Sequence, residues 1–252
     1  MKFSIITVSY NAVSTIERTL LSIYSQTYQD YEHIIVDGGS SDGTVDIIRK
    51  YEDRIAYWIS EPDQGVYDAM NKAVKQAKGD WLLFLNSDDT FYGEDVLNQL
   101  AKEMTSSNTI YYGNVMREPI HELSGGVFDR KRLCMANICH QAILYPKSVF
   151  GKYAYDLTYK LYADWNLNIK CMGDPDYHFQ FLDITISNYN INGLSSSGDD
   201  SRFKNDFDRI IRENFGSRYC VYLVYLRAMK YLYLLYLRVV NPEAIANVQS
   251  IY

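Results

Sequence analysis

The chain has 252 residues, 47% hydrophobic and 22% charged, which is ordinary for a soluble globular protein and enough for one large α/β domain or two small ones. A formal net charge of −6 argues against generic nucleic-acid binding, which leans on basic surface. Cys134, Cys139, Cys171 and Cys220 form no CxxC pair, so buried free thiols in a reducing compartment are expected rather than a zinc site at Cys134, Cys139 and His140.

Lys2 runs at once into a short strand-like segment and not a long apolar leader, so a cytoplasmic location is expected. Residues 3–9, FSIITVS, read as a fully buried strand. Asn11 opens a turn, and Ser14 with Glu17 three residues on predicts a capping box. The helix behind it carries Ile16, Leu20, Leu21 and Ile23 on one broad face and ends near residue 27. YEHIIVD (31–37) is a second strand, after which GGSSDGT turns into a helix with Val45, Ile47 and Ile48, Asp42 capping it. A short third strand at 55–60 lies nearer an edge. Residues 65–78 form a helix with Val66, Met70, Ala73 and Ala77 on one face, and 81–86, WLLFLN, a fourth strand.

Four alternations of strand and helix predict a parallel sheet wrapped by helices, with ligands beyond the carboxyl ends of its strands. The polar clusters at 9–11, 37–44 and 86–89 all follow strand ends and should converge on one crevice. Adjacent carboxylates at Asp88 and Asp89 read either as a turn or as a turn that also serves a ligand. Beyond a helix at 94–104 and a strand at 109–112, loops and short antiparallel strands are expected. A helix at 160–172, a strand at 179–191, a polar loop at 192–201 and a helical tail at 206–240 complete the pattern.

Four ordered segments, SIITVSYN, VDGGSSDGT, SEPDQGVYDAMNKAVKQAKGDWLLFLNSDD and YADWNL, resemble the family 2 glycosyltransferases over residues 3–195. The middle segment looks most like members that build bacterial surface polysaccharides such as capsule, O-antigen and colanic acid. The resemblance implies the GT-A nucleotide-diphospho-sugar transferase fold, a mostly parallel sheet flanked by helices, here with a C-terminal helical extension. It divides the chain into a nucleotide-sugar half (1–113), an acceptor and catalytic half (114–205) and a tail (206–252).

The same resemblance implies an inverting enzyme with a nucleotide-sugar donor, most simply UDP-linked, and a glycan or lipid-linked acceptor. A divalent cation, Mg²⁺ or Mn²⁺, would neutralise the diphosphate, and Asp88 is its expected ligand. Asp89 would orient that site or reach the sugar. Asn86 stands where the family's Asp-x-Asp pattern has its first Asp; it and Ser87 are expected on the nucleotide-sugar. Asp37 is either an acceptor for the uracil N3 proton or a residue of the turn into a helix. Thr7 and Ser9 would flank the base, mostly through backbone groups. Asp68 and Asn71, one helical turn apart, match the family's helix beside the nucleotide, while Lys72 reads as surface. Asp164 matches the general base, with a helix N-cap as its other reading. Trp165 either stacks on a sugar or sits in the core, and His140 either lines the acceptor or diphosphate side or is structural. The loop at 195–197 would close over the donor.

A Rossmann dehydrogenase lacks support, because GGSSDG is not G-x-G-x-x-G and follows the second strand. No P-loop is present. A binding module that has lost turnover, with Asn86 as its best support, and a sugar nucleotidyltransferase remain as alternatives. In the tail, Arg227 and Lys230 break the apolar run into pieces too short to span a bilayer. Arg227, Lys230 and Arg238 fall on one helical side, opposite a Tyr/Leu face. That face either packs on protein, including a second subunit in a homodimer, or lies peripherally on the inner membrane face.

Overall fold

The computed structural model describes residues 2–191, 193 and 199–240, with side chains of 234–240 left aside. The chain divides into two compact units, Met1–Lys204 and Asn205–Tyr252. In the first, strands and helices alternate as β1 (Phe3–Ser9), α1 (Ile16–Tyr24), β2 (Tyr31–Asp37), α2 (Thr44–Lys50), β3 (Tyr57–Ser60), α3 (Val66–Val74) and β4 (Trp81–Phe84). There follow β5 (Thr90–Phe91), α4 (Val96–Glu103), β6 (Thr109–Glu118), β7 (Glu122–Ser124), α5 (Arg130–Leu133), β8 (Ile143–Pro146), α6 (Lys147–Lys152), α7 (Ala163–Gly173) and β9 (His178–Asn190).

Among the described residues these strands form one mixed sheet in the order β3-β2-β1-β4-β8-β6-β9-β5, with β7 paired to β6. The first four are parallel, so the ends of β1, β2, β3 and β4 open on one edge, as the alternation predicts. β3 lies at one edge of the sheet and β5 at the other. β8 runs antiparallel to β4 and to β6, while β9 pairs parallel with β6. Every residue of β1 and of β4 is buried, which is why β4 is wholly apolar and β1 carries only small hydroxyl residues, Ser4, Thr7 and Ser9, among its apolar ones. Ile5, Ile16, Leu20, Ile35, Leu83, Leu97, Leu144 and Ile186 belong to one core.

Three local expectations are corrected. The capping box does not form: Thr15 is the N-cap and makes no side-chain cap bond, and Glu17 instead accepts from Lys50 Nζ at 2.6 Å and the Tyr51 hydroxyl at 2.8 Å. Partners on the neighbouring helix outcompete the local bond. The strand expected at 109–112 extends to Glu118, because its second half pairs with both β7 and β9. The tail is two helices, α8 (Ser201–Phe215) and α9 (Ser217–Val240), broken at Gly216, whose φ of +87° favours glycine.

Within the second unit, Arg227 on α9 forms a two-bond ion pair with Asp208 on α8, both bonds at 2.7 Å. Val221, Val224, Tyr225, Met229, Tyr231, Leu232 and Tyr233 of α9 are exposed. At 100° per residue they cover an arc of about 200°, with Arg227 and Lys230 opposite. No described helix is long and apolar enough to cross a membrane. Arg238 and the loop at 195–197 lie outside the described side chains.

Candidate active site

The strand-end loops converge as expected and are stitched together. Asn11 N–H donates to Ser40 Oγ at 2.8 Å, and Ser41 N–H donates to Asn11 Oδ1 at 3.0 Å. Asp42 accepts from Val13 N–H, from Thr44 N–H and from the Thr44 hydroxyl, so it both caps the approach to α2 and ties two loops. Asp37 is the hub. Its Oδ1 accepts from Ser9 at 2.8 Å and Ser40 at 2.5 Å, and its Oδ2 from Ser60 at 2.7 Å and from Gly39 and Ser40 N–H. Burial works to raise this carboxyl's pKa, but the hydrogen bonds from Ser40, Ser60 and Ser9 prevail, so it lies below its ordinary value. Asp37 is wholly buried, so a base could bond it only by displacing one of these donors.

At the tip of β4, Asp89 N–H donates to Asn86 O at 3.1 Å, closing a turn. The α1 helix holds that turn: the Thr19 hydroxyl donates to Asp89 O at 2.7 Å and Arg18 Nη2 to Asp88 O at 3.0 Å. Ser87 is buried, its N–H on Val8 O at 3.3 Å. The two acidic neighbours then part company. Asp88 lines a cavity of about 580 Å³ together with Ser14, Thr15, Arg18, Glu118 and Asn190. Asp89 points inward, 1% exposed, and accepts from Asn190 N–H at 2.9 Å and Gln141 Nε2 at 2.8 Å. Burial raises the Asp88 carboxyl, and burial followed by the Asp88 charge raises Asp89 to about 7.

This donor set fits a hard divalent cation. Asp88 offers a carboxylate on the cavity, the buried Asn86 Oδ1 has no hydrogen-bond partner, and the paired carboxylates would be relieved by positive charge. Among the described residues no group of three or more His, Cys, Asp or Glu side chains is placed to hold a metal ion, so such an ion would depend on phosphate and water oxygens.

A second cavity, about 270 Å³, is lined by Tyr67, Asn137, His140, Tyr162, Asp164 and Trp165. Asp164 stands in the first turn of α7, so α7 sets the place of the carboxylate. Its Oδ1 accepts from the Tyr67 hydroxyl and from Trp165 N–H, each at 2.8 Å, and its Oδ2 from Asn137 Nδ2 at 2.8 Å. Burial and then the Asp164 charge push the Tyr67 hydroxyl well above its ordinary pKa, so it remains a donor. His140 Nδ1 lies 3.5 Å from Asp164 Oδ2, and its Nε2 is 2.9 Å from Asn86 Nδ2. Trp165 lines the cavity but is also built into the core: its Nε1 donates to Leu133 O at 2.8 Å and its ring packs 5.5 Å from Phe203.

Two residues expected on the nucleotide have partners within the fold. Asn71 donates to Tyr155 O at 2.9 Å and accepts Tyr155 N–H at 3.0 Å, so both ends of its amide strap α3 to the segment before α7. Asp68 accepts Gln64 N–H at 3.1 Å and pairs with Lys72 at 3.4 Å. Lys72 is therefore not simply solvated, since it also meets Glu61 at 2.9 Å. The Thr7 hydroxyl points into the sheet, donating to Leu85 O at 2.8 Å. Tyr67, Asn137, Gln141 and Asn190 were not singled out by the sequence. Only Gln141 carried a signal, as the polar residue following His140 ahead of an apolar strand.

A glycosyltransferase of PGL/p-HBAD biosynthesis from Mycobacterium tuberculosis is 38% identical over 209 residues, covering 80% of this chain and 82% of its own. Staphylococcus aureus TarS 1–349, solved with UDP-GlcNAc, superposes with a TM-score of 0.67 at 21% identity over 84% of this chain. The mannosyltransferase PcManGT from Pyrobaculum calidifontis, solved with GDP-Man and Mn²⁺, gives a TM-score of 0.59 at 17% identity over 86%. This chain spans 65% and 64% of those two structures, and at such identities they speak for the GT-A fold alone. The pattern of glycosyl transferase family 2 matches residues 4–146, and the chain belongs to that family.

Proposed function

We propose that the protein moves a sugar from a UDP-sugar to a glycan or lipid-linked acceptor in bacterial surface-glycan synthesis, with inversion at the anomeric carbon. The observation that carries this reading is the pair of cavities beside one strand tip, Asp88 lining one and Asp164 the other. The M. tuberculosis relative's place in PGL/p-HBAD biosynthesis and the UDP-GlcNAc held by TarS support the choice of acceptor and donor class.

The acceptor hydroxyl oxygen bonds to the anomeric carbon as the bond from that carbon to the diphosphate breaks. Its proton passes to Asp164, and the nucleoside diphosphate leaves with the electron pair. Tyr67, Asn137 and the Trp165 N–H hold the carboxylate in place for this transfer. A divalent cation held by Asp88 would neutralise the departing diphosphate when bound. In this reading residues 1–113 serve the donor and 114–205 the acceptor. The broad apolar arc of α9 rests peripherally on a membrane, near a lipid-linked acceptor. A binding module without turnover is the second reading, favoured by Asn86 in place of a third carboxylate.

A screen of nucleotide-sugars with purified protein, following nucleotide release with Mn²⁺, Mg²⁺ or chelator, tests the proposal. Release from one donor that stops with chelator, and with Asp88→Ala, is expected. Binding without release from any donor would favour the second reading, and full activity of Asp88→Ala would sink the metal assignment.

A further inference from the structure

We infer that His140 is a positioning residue that couples the donor-side loop at Asn86 to the base at Asp164, so that filling one cavity sets the other. The inference rests on Asp164 being the base. His140 and Gln141 are consecutive residues of a single turn, His140–Ala142, that leads into β8. Each grips the strand-tip loop: His140 through Asn86 at 2.9 Å and Gln141 through Asp89 at 2.8 Å. Pairing of Leu83 with Leu144 holds β8 beside β4, which keeps this turn against that loop.

The imidazole then reaches a different element. With Nε2 accepting from Asn86 Nδ2, a neutral ring carries its proton on Nδ1, facing Asp164 Oδ2 at 3.5 Å. That separation is long for a hydrogen bond, and bonds of this kind tighten when substrate binds. Asp164 does not need the ring for satisfaction, since Tyr67, Trp165 and Asn137 already donate to it. The ring is largely buried, its side chain 12% exposed, so it has little freedom to move alone. A donor in the cavity that Asp88 lines bears on the strand-tip loop, the Asn86 amide of that loop carries the ring, and the ring draws Asp164 Oδ2. Such coupling is reciprocal, so a filled acceptor cavity strengthens donor binding by the same factor.

Two near-isosteric variants divide the bridge. In His140→Asn the amide nitrogen replaces Nδ1 and the Asn86 link is lost; in His140→Gln the amide replaces Nε2 and the Asp164 link is lost. The probe is UDP with Mg²⁺. Affinity is read by calorimetry, and the response of the far cavity by the indole N–H resonance of Trp165, assigned with Trp165→Phe. In the wild type, UDP moves that resonance. In both variants UDP should bind within about threefold of wild type while the Trp165 response disappears, and turnover with the donor found by screening should fall about tenfold. A retained Trp165 response, or His140→Asn behaving as wild type, overturns the coupling. A loss of UDP affinity beyond about tenfold in both variants would place His140 in the donor site instead. Asp164→Asn, assayed in parallel, separates the two ideas: unchanged turnover removes the base assignment, whereas the Trp165 response judges the bridge independently.

Discussion

Gln141 donates its side-chain amide to Asp89 at 2.8 Å, so the second acidic residue of the β4 tip is spent on holding the turn while the first faces the cavity. The consequence is electrostatic. Asp89, 1% exposed beside another carboxylate, titrates near pH 7 when no cation is bound, against an ordinary value of 3.8. A carboxyl raised in the folded state binds its proton more tightly there than in the unfolded chain. Its contribution to stability is therefore full below about pH 4 and lost as pH rises through about 7. In chelator, the melting temperature of Asp89→Asn should gain on the wild type from pH 5 to about pH 7 and level off above it. A constant difference across that range would show that Asp89 is not held in its protonated form.

Asp164→Asn keeps the shape of the side chain and removes its basicity. Transfer should fall by roughly 10²- to 10⁴-fold, the worth of a general base, while UDP affinity by calorimetry stays near wild type. Collapse of donor binding in this variant would move Asp164 to the donor site.

Asn71→Ala removes both bonds between α3 and Tyr155 and strands the Tyr155 backbone groups. A stability loss of about 1–3 kcal/mol in urea unfolding is expected, with donor affinity little changed. The reverse pattern, intact stability and weakened donor binding, would restore Asn71 to the nucleotide contacts that the family resemblance implies.

The tail can be tested by liposome flotation of the full chain against one ending at Ser217. The full chain should float with anionic vesicles and release with salt, because the apolar arc of α9 supplies most of the adhesion and its basic side is weak. Arg227 is already paired with Asp208, so a neutralising change there should alter flotation little. Equal behaviour of the two chains, with and without anionic lipid, would leave the α9 face as a protein contact.

What the sequence determined by itself is the scaffold and the address of the site. Strands buried on both faces are rich in apolar and β-branched residues, so the cores of β1, β2 and β4 announce themselves, and the polar residues after them mark the loops that line the crevice. Asp88 stands out as a carboxylate at a strand end, whereas Asp164 is singled out only by the family resemblance of YADWNL. Only the tertiary structure decided which polar side chains have their hydrogen-bond capacity taken up within the fold. Asn71, Asp37 and Asp89 look as available in the sequence as Asp88 does. Their partners, Tyr155, Ser60 and Gln141, lie 84, 23 and 52 positions away, and nothing local announces them. The length of β6 was hidden for the same reason, since its second half becomes a strand only by pairing with β7 and β9. A run of side chains can declare which face is buried, because burial follows periodicity; hydrogen-bond capacity is used up across the fold, between residues that the chain order keeps apart.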